Sequence, residues 1–170
     1  MELAAGDVIF CHSKGLIGRA IRIAEFFRRD WNGQSERAGA KWNHVAILDA
    51  NVGGGWTVIQ AEARGVTQGA PLSSIAPGGQ FAVLPLPQGI HPEDVLEFAR
   101  KQVGSRYGFV TIACIALDIL TPRWLSVRAP GSWICSAVGA ESVRFGGWYH
   151  DWPDVYSVSP AELWLALERG

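Results

Sequence analysis

The sequence predicts a single domain in which strands and helices share one core, and three observations point there. The 170 residues suit one domain, and 48% apolar with 18% charged residues suits a filled core rather than disorder. Two β-rich runs, 42–48 and 56–62, flank the cluster Asn51-Val52-Gly53-Gly54-Gly55, the pattern of a β-hairpin. Two helix starts stand later in the chain, His91-Pro92-Glu93-Asp94 and Ser159-Pro160-Ala161-Glu162. Each carries proline at the first position and acid in the first turn.

The remaining elements follow in order. Residues 8–11 read as a short strand after the turn at Gly6-Asp7. Ile21, Ile23, Ala24, Phe26 and Phe27 have helical spacing, and Arg19, Arg22, Arg28 and Arg29 read as a solvated helix face. Residues 30–40 read as a loop. Residues 65–79, rich in Pro, Ser and Gly, read as irregular, and 81–86 as a strand ended by Pro87. Val95, Phe98, Ala99, Gln102 and Val103 continue the helix begun at Pro92, and Gly104 closes it. Residues 105–108 read as a turn. Residues 109–120 read as an apolar helix, with Cys114 packed inside it and Thr121-Pro122 at its end. The aromatic stretch 146–156 either rims a groove or caps the core.

Several function classes are disfavoured. A net charge of −1 leaves no electrostatic footprint for nucleic acid. Three cysteines without a CxxC pair make neither a disulfide framework nor a zinc ribbon. Cys11, His12 and His44 lack metal-ligand spacing, so no metal or other cofactor is expected. His91 and His150 read as structural. The first residues are acidic, without the long apolar core of a signal peptide. The apolar run 109–120 contains Asp118 and falls short of the roughly 20 residues that span a bilayer. The expectation is therefore no transmembrane segment. The location is cytoplasmic by default, or the cell wall if a phage or secretion apparatus delivers the protein there. Oligomeric state is not legible.

The stretch 133–143 carries the candidate chemistry. Cys135 falls in the first turn of a helix, where unpaired N–H groups and the helix dipole favour a thiolate. A cysteine so placed can titrate in the range of about 3.5–7.5 instead of about 8.5. A small buried hydrophobe would use the same residue, so the chain must also supply a base. A hairpin centred on Gly53 sets His44 opposite Glu62 on one face, with Cβ atoms about 4.5–5.5 Å apart. Cys135 is then the nucleophile, His44 the acid–base and Glu62 the group that orients the imidazole. The Cys135 N–H and the Tyr107 phenol are candidate oxyanion donors. Ser136, Trp42 and Trp133, which neighbour Cys135 or His44 in the sequence, complete the candidate substrate-binding set. Cys11 is a rival nucleophile, but the adjacent His12 would point to the other face of a strand.

Five segments, taken in their order, resemble a known superfamily. They are Gly6-Asp7-Val8-Ile9-Phe10, Asn43-His44-Val45-Ala46-Ile47, Ile59-Gln60-Ala61-Glu62-Ala63-Arg64-Gly65-Val66, the stretch from Ala99 through Gly104 to Tyr107, and Ile134-Cys135-Ser136. The order resembles the permuted branch of the NlpC-type papain-like cysteine peptidases, which includes YiiX-like bacterial amidases and lecithin:retinol acyltransferase-like proteins. The resemblance implies an α+β papain-like core, an antiparallel sheet bearing His packed against the helix that carries the nucleophilic Cys. It implies a hydrolase or acyltransferase working through a thioester. An amide bond in a peptidoglycan-type peptide is the first substrate class implied. A lipid acyltransferase or deacylase is an alternative, motivated by the apolar run and eight tryptophans. A catalytically silent binding module is the other.

Overall fold

The computed structural model describes residues 2–12, 41–108, 132–152 and 154–169. The helices expected at 21–27 and 109–120, the loop at 30–40 and the packing of Cys114 lie outside the described residues. The strands are β1 (Val8–Cys11), β2 (His44–Val52), β3 (Gly55–Glu62), β4 (Gly65–Pro71) and β5 (Phe81–Leu84), most of them runs of buried apolar residues. They pair antiparallel in the order β4-β3-β2-β1-β5. The helices are α1 (Leu72–Ile75), α2 (Pro92–Lys101), α3 (Cys135–Phe145) and α4 (Pro160–Arg169). The expected α+β class, with the Cys-bearing helix packed on an antiparallel sheet, is the architecture observed.

The sheet is buried on both sides. Phe10, Val45, Ile47 and Ile59 face Val95 and Ala99 of α2, Val138 of α3 and Leu163 of α4. Ile9, Ala46, Leu48, Val58 and Val83 form the other face and pack with Leu72 and Ala76. This division follows from the two-residue period of a strand. Full burial of each such side chain is worth about 1.5–3 kcal/mol. Small residues bring α3 close to the sheet. A Cβ at Gly139 would sit 3.0 Å from Val45 Cγ1 and 3.1 Å from Leu163 Cδ2. Helix α4 begins as expected, on a reciprocal cap: Ser159 N donates to Glu162 Oε2 at 2.9 Å, and Glu162 N donates to Ser159 Oγ at 3.2 Å. In the aromatic stretch, Trp148, Trp152 and Tyr156 pack against the core while Tyr149 stands exposed.

Three local expectations are corrected. Residues 65–79 are not irregular: β4, α1 and a 3₁₀ turn at Pro77–Gly79 fill them. β4 is an edge strand held by its ladder to β3, so its composition never needed strand propensity. Residues 105–108 are not a free turn either. Arg106–Tyr107 forms β6, paired in parallel with β7 (Ser132–Trp133), and that partner lies too far along the chain for a local signal. The hairpin turn is Gly53-Gly54, with φ of 60° and 84°, rather than a turn centred on Gly53. Positive φ at both positions is the two-residue turn that glycine permits.

Gly65 and Gly69 of β4 separate two effects of an added side chain. Both have positive φ, +113° and +88°, but a Cβ at Gly65 would lie 2.4 Å from the Ser105 carbonyl while one at Gly69 meets open space. Gly69→Ala is expected to cost about 1–2 kcal/mol of unfolding free energy from backbone strain alone, and Gly65→Ala distinctly more. Urea denaturation midpoints of the two variants measure the difference.

Candidate active site

Cys135 is the first residue of α3. The preceding residue, Ile134, is extended and gives the helix no side-chain cap, so the first-turn N–H groups have no competing oxygen there. The sulfur takes that place and accepts hydrogen bonds from the backbone N–H groups of Ser136 and Val45. The β2–β3 ladder stops at Ala46 and Gln60, one residue short of Val45, which leaves that N–H for the sulfur. Cys135 is buried at 5% exposure.

His44, the first residue of β2, hydrogen-bonds Cys135. Its Nε2 lies 2.6 Å from Gln60 Oε1, so Nε2–H donates to the amide oxygen and Nδ1 is left to face the sulfur. Burial works against the thiolate of Cys135. The hydrogen bond and charge of His44 and the two backbone N–H groups outweigh it and hold the thiol below its ordinary range. Burial likewise opposes the imidazolium, but Cys135, the Gln60 oxygen and the charge of Glu62 outweigh it and raise His44. Both shifts favour the thiolate–imidazolium form of the pair.

The expected site residues fall into two groups. Cys135, His44 and Tyr107 come together. Tyr107, on β6 beside Trp133, lies close enough for the thiolate charge to act on its phenol. Burial, then that charge, push the phenol up, so it stays a neutral O–H donor. The other four take different places. Glu62 is not the hydrogen-bond partner of His44. It stands at the end of β3, where Arg64 Nη2 donates to it at 3.2 Å, and it acts on His44 through its charge. The Ser136 hydroxyl is fully buried and donates to the Val158 carbonyl at 2.6 Å, which ties α3 to the segment before α4. Trp42 and Trp133 are buried walls. Trp42 packs on Trp164 with ring centroids 5.6 Å apart, and Trp133 on Phe98 and Tyr156 at 5.8 and 5.1 Å.

Sequence reasoning missed Gln60 as the residue that orients the imidazole. The signal was present: residues 60 and 62 share a strand face, and Gln60 is a polar residue inside Val58-Ile59-Gln60-Ala61. Directly opposed residues are closest, but diagonal neighbours at about 7–8 Å are within reach of long side chains. Cys11, opposite His44 in the β1–β2 register, was read as a rival nucleophile. Burial and the nearby Cys135 push its thiol up to about 12, which keeps it protonated and inert.

No family model matches this sequence, and no curated protein does. Among solved structures, the crystal structure of the metalloprotein yiiX from Escherichia coli O157:H7 (DUF1105) superposes with a TM-score of 0.59. The match covers 86% of this chain and 68% of that one, at 16% sequence identity. The fold is YiiX-like. Among the described residues, no three His, Cys, Asp or Glu side chains are grouped so as to hold a metal ion. No described helix is long and apolar enough to cross a membrane.

Gln60→Leu removes the acceptor that favours the imidazolium. Its expected effect is a shift of Cys135 alkylation by iodoacetamide: reactivity at mildly acidic pH falls and moves toward the alkaline range of an ordinary thiol. Rate measurements across pH, with the alkylated cysteine located by mass spectrometry, read this directly.

Proposed function

We propose that this protein is a cysteine hydrolase that cleaves an amide bond through a thioester on Cys135. The observation that carries the reading is the chain Cys135–His44–Gln60, in which each group fixes the protonation of the one before it. The Cys135 thiolate attacks the carbonyl carbon of the substrate. The oxyanion that forms is held by the Cys135 backbone N–H and the Tyr107 hydroxyl. As the intermediate collapses, the His44 imidazolium gives its proton to the leaving amine, which departs and leaves the thioester. Neutral His44 then takes a proton from water, the water oxygen attacks the thioester, and carboxylic acid and thiolate are released with the imidazolium restored. Gln60 keeps the ring aimed through both half-reactions.

A permuted papain-like placement of the YiiX-like fold supports the reading: the His strand precedes the Cys helix in the chain, as the five resembling segments do. On that placement the substrate is a peptidoglycan-type peptide. The similar structure belongs to a metalloprotein, but the described donors here offer no such group, and no step is drawn through a metal.

Both limbs of the pH dependence follow from the pair. Turnover falls on the acid side as pH passes through the depressed value of Cys135, because the sulfur is protonated. It falls on the alkaline side through the raised value of His44, because the leaving amine loses its proton donor. In the wild-type protein, Cys135 is expected to react with iodoacetamide at mildly acidic pH far faster than a free thiol, while Cys11 stays unmodified. A Cys135 no faster than a free thiol there would sink the proposal. Turnover of muropeptides against acyl esters, with Cys135→Ala as the blank, then separates amide hydrolysis from lipid acyl transfer.

Tyr107→Phe tests the oxyanion role separately. It is expected to lower kcat by about 10²–10³, the usual loss of one oxyanion donor, with the alkylation rate of Cys135 little changed.

A further inference from the structure

β2 and β3 lack what normally fixes strand register. Val45, Ala46, Ile47 and Leu48 are all buried, as are Val58, Ile59, Gln60 and Ala61. A one-residue slip would exchange one buried apolar set for another, so hydrophobic alternation specifies the register only weakly. The site nevertheless depends on it, because Gln60 must lie on the His44 side of the sheet.

The turn alone puts it on the wrong side. Around Gly53-Gly54 the pairs are Val52 with Gly55, Asn51 with Trp56 and Ala50 with Thr57. Continued without interruption, that ladder would set Ile47 opposite Gln60, and Gln60 and His44 would then point to opposite faces. The observed ladder skips one residue of β2: Leu48 pairs with Val58 and Ala46 with Gln60, and Asp49 is left over as a bulge. His44, two residues from Ala46, then shares a face with Gln60.

We propose that Asp49 is a positioning residue for the thiol chemistry, and that its ion pair with Arg100 of α2 holds the bulge that turns Gln60 toward His44. Asp49 is 6% exposed, yet both of its carboxylate oxygens are engaged. Oδ1 accepts from Arg100 Nε at 3.0 Å and Nη2 at 2.7 Å, and Oδ2 accepts from Gln68 Nε2 at 2.8 Å. Gln68 stands beside a second bulge, at Gly69 of β4, where the β3–β4 register shifts between Val58 and Ile59. The two strands that flank β3 are thus bulged at one level, and the Asp49 carboxylate ties them to each other and to α2. Pressing Asp49 into the plain ladder would strip it of these three donors and leave a buried charge unpaired, which is strongly disfavoured.

The inference rests on the thiol reading of the site, and two readouts keep the two separable: cross-strand NOEs between Ala46 and Gln60 report the register, and Cys135 alkylation reports the chemistry. Arg100→Met is expected to weaken or abolish the NOEs. It should also lower the alkylation rate at mildly acidic pH by about tenfold or more, the size of a one-unit change in proton affinity. The drop should match that of Gln60→Leu, and the double variant should show no further loss. Deleting Asp49 is the second variant. It removes the extra residue, so the plain ladder itself pairs Leu48 with Val58 and Ala46 with Gln60. The deletion alone should keep the NOEs and near wild-type alkylation, and should restore both in the Arg100→Met background. A folded Arg100→Met protein with wild-type NOEs and alkylation overturns the proposal, whatever its Tm. So does an Asp49 deletion that loses the Ala46–Gln60 NOEs. Slow Cys135 in the wild type, with NOEs that respond as described, leaves the register lock standing and removes the hydrolase reading instead.

Discussion

A thiolate buried at 5% exposure is costly unless its surroundings replace water. At Cys135 three donors favour that form: the imidazole of His44 and the backbone N–H groups of Val45 and Ser136. One N–H comes from the start of β2, which is paired with β1 but runs past its ladder to β3, and one from the uncapped first turn of α3, so the sulfur completes two elements at once. The site is possible because both elements end at the same place. It needs α3 to approach the sheet closely, and Gly139 opposite Val45 permits that approach.

The second requirement is directional. An imidazole can supply or take a proton only if its ring is held, and the holder here is a neutral amide rather than a carboxylate. Gln60 Oε1 favours the charged ring without adding a negative charge to a buried site. Glu62 adds its field from a half-exposed position while bonded to Arg64. This division spares the core a second buried charge. Among the described residues the buried carboxylate of the sheet is Asp49, which lies elsewhere and is bound by Arg100 and Gln68.

The register of the hairpin shows how a sound local inference can conceal its physical basis. Opposing His44 to Glu62 assumes a turn centred on Gly53. The Gly53-Gly54 turn instead sets each β2 residue opposite the next residue along β3, and the Asp49 bulge shifts the register back by one before the site is reached. The two offsets cancel. The face shared by His44 and positions 60 and 62 is therefore as expected, while its cause is a bulge that no composition signal announces. Gln60 was legible as a second candidate beside Glu62, because both positions satisfy the same period, but only the direction of the side chains separates them.

What the sequence determined by itself is what local chemistry encodes. Turn glycines, proline and acid at helix starts, β-rich runs and a cysteine entering a helix all act within a few residues of one another. They gave the hairpin, β1, β5, α2, α3 and α4, and they named Cys135 and His44. Tertiary structure decided the rest, because each remaining contact joins groups distant along the chain. β4 exists through its ladder to β3, and Tyr107 reaches the site through a parallel pairing with Trp133. Gln60 holds His44 because a bulge tied to α2 sets which face it shares. Local propensity carries no information about such partners, since their energy appears only when the chain has folded.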